Sequence, residues 1–146
     1  MTAEAHWLWR LDRAAWAAAA LVEWRAATEN LARRRTAIAH ARRAAGMALN
    51  GVLVAWAERE PERRDEIAAR WGRSYVEHLQ RIAAGDHGPL PPAAIELARA
   101  VLAAPMTAPA LVALGARAHA DVRALVDATQ ALLELCAAIG ADGPAV

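Results

Sequence analysis

The chain has no lysine and no phenylalanine, and it holds one tyrosine and one cysteine in 146 residues. A lone Cys136 excludes an intrachain disulfide and a cysteine-based metal knuckle. Set in an apolar run, it is expected to be a small core residue. One tyrosine and no phenylalanine leave little material for base stacking, which argues against sequence-specific RNA recognition. β-Branched residues are sparse, so a β-rich fold is excluded. The apolar run Ala14–Val22 covers 9 residues between Arg13 and Glu23. That is far short of the roughly 20 needed to span a bilayer. No secretory signal is visible, so the expected setting is soluble and cytoplasmic, with no membrane partner.

What the chain has instead is 42 alanines and 17 arginines, with Leu and Glu. This is a strong helix-forming mixture. The expected fold is all-α: an up-and-down four-helix bundle with one or two additional short helices. Neither an internal repeat nor an interdomain linker appears. The reading is one domain over residues 1–146, with 141–146 as a flexible tail. The net charge of +1 divides unevenly: residues 1–84 carry +4 and residues 85–146 carry −3. Such halves are suited to pairing within a monomer or across a dimer, and a globally basic nucleic-acid binder would look different.

Periodicity places the first helix from about Ala3, capped by Thr2, to about Ala27. Leu8, Leu11, Ala15, Ala18 and Val22 form one stripe, and Trp9, Trp16, Ala20 and Trp24 an adjacent one. So wide an apolar face predicts a helix covered on more than one side. Asn30 is read as the cap of a second helix from about Leu31 to Trp56, with its core stripe running from Ile38 to Trp56. Gly46 and Gly51 within it cost about 1 kcal/mol each relative to Ala, which close approach of a neighbouring helix would offset. Pro61 opens a short charged helix ending near Gly72. Ser74-Tyr75-Val76-Glu77 is a capping box, so a helix should start at Tyr75 and run to about Ala84. Gly85–Pro91 is a loop. Pro92 opens a helix that stops before Pro105. The last helix begins near Pro109 or just after Gly115 and stops at Gly140, with Arg117–Asp121 and Arg123–Asp127 as i,i+4 pairs.

Chemistry is concentrated in two basic constellations. The five histidines (6, 40, 78, 87, 119) form no His-x3-His or Glu-x2-His pair, so neither a metal nor any other cofactor is expected. The first constellation is Arg33–Arg43. On a helix, Thr36, His40, Arg43, Met47 and Asn50 share a strip that offers donors to a phosphate. The competing reading is a solvated basic face paired with the acidic second half. The second is Trp71–Leu79, where Arg73 precedes a helix start and His78 lies one turn in, with Tyr75 nearby. For RNA cleavage, His would remove the 2′-OH proton and Arg would hold the phosphate, with no metal. The competing reading has Ser74 and Glu77 as a cap, Arg73 in an ion pair and His78 half-buried. Most of the six tryptophans should be core, with Trp7 and Trp9 on different sides of their helix.

Three stretches make the chain resemble HEPN (higher eukaryotes and prokaryotes nucleotide-binding) domains. His40–Leu53 is similar to the Ala-rich second helix of that family. Gly72–Leu79 lies where the family often has a Gly-His-Asp-Leu-like helix start, and the final helix completes the same order of elements. The resemblance implies a small bundle, often a homodimer, that binds RNA or a nucleotide. Many members are metal-independent RNases acting through Arg-x(4–6)-His, often as toxins. Others pair with a small nucleotidyltransferase-like partner, and some have lost catalysis. Carried over, the catalytic candidates are Arg73 and His78, with His40, Arg43, Tyr75 and Asn50 as candidate substrate-binding residues. Ser74 departs from the Asn, Asp or His common after the family's arginine.

The sequence therefore leaves two main readings, with a metal-dependent bundle hydrolase built on three converging His as a weaker third, and does not decide whether the chain is an enzyme. One is an RNA- or nucleotide-binding bundle with ribonuclease activity. The other is a non-catalytic module that dimerises or binds a protein partner, such as a nucleotidyltransferase-like antitoxin. Burial of His78 would favour the module, and an exposed cleft around it the enzyme.

Overall fold

The computed structural model describes residues 6–71, 74–107 and 120–142. Among these residues the only regular structure is helical. Six α-helices follow in order: α1 (Arg13–Glu29), α2 (Arg34–Arg59), α3 (Arg64–Trp71), α4 (Tyr75–Ala83), α5 (Ala93–Ala103) and α6 (Ala120–Asp142). Two 3-10 turns, Trp7–Arg10 and Pro61–Arg63, precede α1 and α3.

α2 is the central element and packs against α1, α4 and α6, while α5 bridges α4 and α6. The reason is composition. Ala37, Ile38, Ala41, Ala45, Leu49 and Val52 are all buried, and so are Gly46 and Gly51. A helix this poor in bulk admits neighbours on several faces. A Cβ at Gly46 would sit 2.2 Å from Tyr75 Cβ on α4, and one at Gly51 would sit 3.2 Å from Arg13 O at the start of α1. The two glycines thus mark the close approaches that offset their helix cost.

The first helix differs from its expectation. Residues 7–10 form a separate 3-10 turn, and α1 starts at Arg13 because Asp12 caps it, its Oδ1 accepting from Ala15 N at 2.8 Å. The break lets Leu8 drop into the core, where its carbonyl accepts from Trp16 Nε1 at 3.0 Å. Thr2 lies outside the described residues. Trp16, Ala20 and Ala27 face the core, whereas Leu11 and Val22 of the other stripe are exposed. Among the described residues, α1 is therefore covered on one side.

Asn30 ends α1 instead of opening α2. Its backbone N–H donates to Ala27 O and its Nδ2 to Ala26 O. α2 begins three residues later than expected, at Arg34, with no side-chain cap at Arg33. Ser74 caps α4 as expected, Oγ accepting from Glu77 N at 3.1 Å. α6 runs through Gly140 to Asp142, so the helix reaches into the stretch expected to be a tail. Its expected start and Arg117 fall outside the described residues. Asp121 pairs with Arg34 across the fold at 2.5 Å. That contact places the heads of α2 and α6 side by side and makes them parallel.

Candidate functional site

Asn50, Tyr75 and His78 meet at the α2–α4 contact. α4 is amphipathic, and its cap at Ser74 fixes its phase so that His78, Leu79 and Ile82 turn inward. His78 is 1% exposed and Asn50 0%. Nε2 of His78 lies 2.8 Å from Asn50 Oδ1. Burial lowers the His78 pKa from 6.5 to about 4, with Arg81 and His6 pushing the same way. The ring is therefore neutral at pH 7, and its Nε2–H donates to the amide oxygen.

Aromatic rings enclose this pair. Trp7 stacks on His78 with centroids 5.8 Å apart and planes 13° from parallel. Trp7 also meets Tyr75 edge-on at 5.0 Å and Trp16 at 6.0 Å. Trp71 approaches His78 from another side at 6.1 Å. Tyr75 lies against Gly46, and burial raises its hydroxyl pKa. Two buried donors, Asn50 Nδ2 and Trp71 Nε1, have no hydrogen-bond partner among the described residues.

An open cleft of about 580 Å³ runs along the outside of this cluster, between α3, α4 and the loop that follows α4. His78 and Trp71 contribute to its wall and Arg70 and Arg81 to its mouth. Both arginines are held by Asp86, at 2.5 Å and 3.5 Å. The Arg81 guanidinium lies 5.4 Å above the Trp71 ring. Gly88, at φ +55, rests on the same ring. Arg73 lies outside the described residues, so the structure places only the histidine of the expected catalytic pair.

His40 and Arg43 are elsewhere. Both reach Glu23 on α1, His40 Nδ1 at 2.8 Å and Arg43 at 3.2 Å. They tie α1 to α2 above the Tyr75 contact. Arg42 donates to the carbonyls of Val101, Leu102 and Ala104 at the end of α5. Much of the Arg33–Arg43 segment is thus engaged with the rest of the fold, and three arginines of the first half, Arg34, Arg70 and Arg81, meet acids of the second at Asp121 and Asp86. Among the described residues, no group of three or more His, Cys, Asp or Glu could hold a metal ion. No described helix is long and apolar enough to cross a membrane.

Sequence reasoning did not single out Trp7, Arg70, Arg81 and Asp86 as neighbours of His78. Asp86 had a signal: it is the acid of the Gly85–Pro91 loop, directly after α4. The stack of Trp7 on His78 spans most of the first half of the chain, and no local pattern announces it.

A second concavity lies on the other side of α2. α1 and α6 flank it, and Ala48, Gly51 and Val52 of α2 form part of its lining. It measures about 590 Å³ and is mainly apolar, with Leu21, Trp24 and Leu133 on its walls. Cys136 also lines it, and burial pushes its thiol up to about 12, so it is no nucleophile there. No family model, curated protein or solved structure matches the chain.

Proposed function

We propose that this chain is a non-catalytic interaction module: a HEPN-like, up-and-down helical bundle that works by binding a protein, either a second copy or a nucleotidyltransferase-like partner. The observation that carries this reading is the burial of His78. A general base must come within hydrogen-bond reach of the proton it takes. At 1% exposure, stacked under Trp7 and bonded to Asn50, the imidazole serves the interior. The cations at the cleft mouth support the same reading, because a phosphate would have to displace Asp86 from Arg70 and Arg81.

Metal-independent RNA cleavage by Arg73 and His78 is the second reading. The cleft wall that includes His78 and Trp71, whose indole N–H has no partner among the described residues, favours it. Incubation of a mixed-sequence RNA with purified protein in EDTA separates the two. The module reading expects no cleavage above that of Arg73→Ala and His78→Gln proteins of matched helical content. Cleavage lost in both variants overturns it.

A further inference from the structure

The cleft between α3 and α4 leaves charged groups of both signs unused. Its described lining carries two arginines, Arg70 and Arg81, and two acids, Glu77 and Asp86, so its formal charge is zero. Arg70 and Asp86 satisfy each other, with Arg70 Nε at 3.0 Å and Nη2 at 2.5 Å from Asp86 Oδ2. Glu77 and Arg81 are left over. They stand four residues apart on α4, the spacing at which opposite charges pair on a helix. Yet no bond joins them, because Arg81 is turned over Trp71 and towards Asp86. It gives Asp86 only Nη1, at 3.5 Å, too long for a strong hydrogen bond. Arg81 Nε and Nη2 and the Glu77 carboxylate have no partner among the described residues. Trp71, 3% exposed, belongs to the same wall, and its indole N–H is a buried donor that lacks an acceptor among those residues. Such a donor costs free energy until something accepts from it.

We infer that this cleft binds a small zwitterion of the α-amino-acid type, with an uncharged side chain. The ligand carboxylate takes the Nε–Nη2 edge of Arg81, a pair of parallel donors that fits a carboxylate fork to fork. The same carboxylate accepts from the Trp71 indole N–H. The ligand ammonium donates to Glu77, one turn back and about 6 Å along α4. Asp86 and Trp71 hold the Arg81 guanidinium on two sides, so little freedom is lost when it binds. The ligand side chain lies along Ala69 and Ala84, in a cleft of about 580 Å³. Charge selects this class. A lining with no net charge gives a polyanion no overall attraction. A phosphate dianion on Arg81 would face Asp86 and Glu77, and a simple cation on Glu77 would face Arg70 and Arg81. A molecule with both charges on one carbon meets an unpaired group of opposite sign at each end. The site goes beyond the module reading and does not depend on it.

NMR titration of the full chain tests this, read at the Trp71 indole N–H, which is assigned by its loss in Trp71→Phe. The uncharged α-amino acids are added one at a time, from glycine to leucine and phenylalanine. At least one is expected to shift that resonance saturably. For the member that binds tightest, the N-acetyl derivative and the carboxamide each lack one charge. Each should bind about tenfold more weakly or worse, and so should the parent amino acid to Arg81→Gln and to Glu77→Gln. Both residues are exposed, so the variants should keep their helical content. No saturable shift with any member overturns the proposal. So does binding that either derivative or either variant leaves unchanged. Inorganic phosphate that moves the same resonance at lower concentration than the amino acid also overturns it, and gives the cleft to a phosphate ligand. RNA cleavage dependent on His78 would sink the module reading without touching amino-acid binding.

Discussion

His78, a catalytic candidate by sequence, is buried and hydrogen-bonded to Asn50 in the fold. Its depressed pKa has a consequence for stability. The unfolded chain takes up a proton at this residue near pH 6.5, whereas the native chain resists until about pH 4. Between those values the unfolded state binds more protons, so this residue's contribution is fully present above about pH 6.5 and is lost as pH falls towards 4. The loss amounts to about 3 kcal/mol. Urea unfolding from pH 7 to pH 4 should show it in the parent, and His78→Phe should flatten the slope. An equally steep slope in the variant would assign the proton uptake to other groups. Asn50→Ala should cost about 1–3 kcal/mol, since it leaves the imidazole N–H unpaired in the interior. Thermal unfolding measures that.

At the scale of helices, the glycines of α2 make the sharpest prediction. Gly46→Ala gains about 1 kcal/mol of helix propensity. Its new Cβ would nevertheless collide with the Cβ of Tyr75, which is anchored to a helix and cannot swing away. A net loss of about 1–3 kcal/mol is expected, and smaller for Gly51→Ala, whose neighbour is at 3.2 Å. If chemical denaturation finds Gly46→Ala neutral, α4 is not held that closely. Asp12→Ala should cost about 1 kcal/mol by removing the α1 cap.

Much at this scale was legible. The residues of the α2 stripe from Ile38 to Val52 are buried, and Ser74 with Glu77 marks the head of α4. The head of α1 was not: Asp12 is a local cap signal, but the apolar stripe continues past it, and only the tertiary fold shows Leu8 leaving the helical path to reach the core and Trp16. Asn30 can satisfy either helix end, and the free carbonyl of Ala26 decided which.

For the whole molecule, charge pattern and fold class were readable, while the neighbourhood of the site was not. The opposite signs of the two halves anticipated the Arg34–Asp121 and Arg70–Asp86 pairs. The breadth of α1's apolar face anticipated a second cover, which the described residues do not supply. The Asn50–His78 bond joins residues 28 apart in sequence, and Trp7 reaches them from the 3-10 turn that precedes α1. No spacing rule predicts such convergence: the Arg–His spacing is weak evidence by itself, and the burial of His78 is what supports the proposed binding module. The most direct test is an NMR titration of the His78 ring protons in the native protein, with and without added RNA. A midpoint near pH 4 that RNA does not move is the predicted result. A midpoint near the ordinary histidine value of about 6.5, shifting when RNA is added, would contradict it.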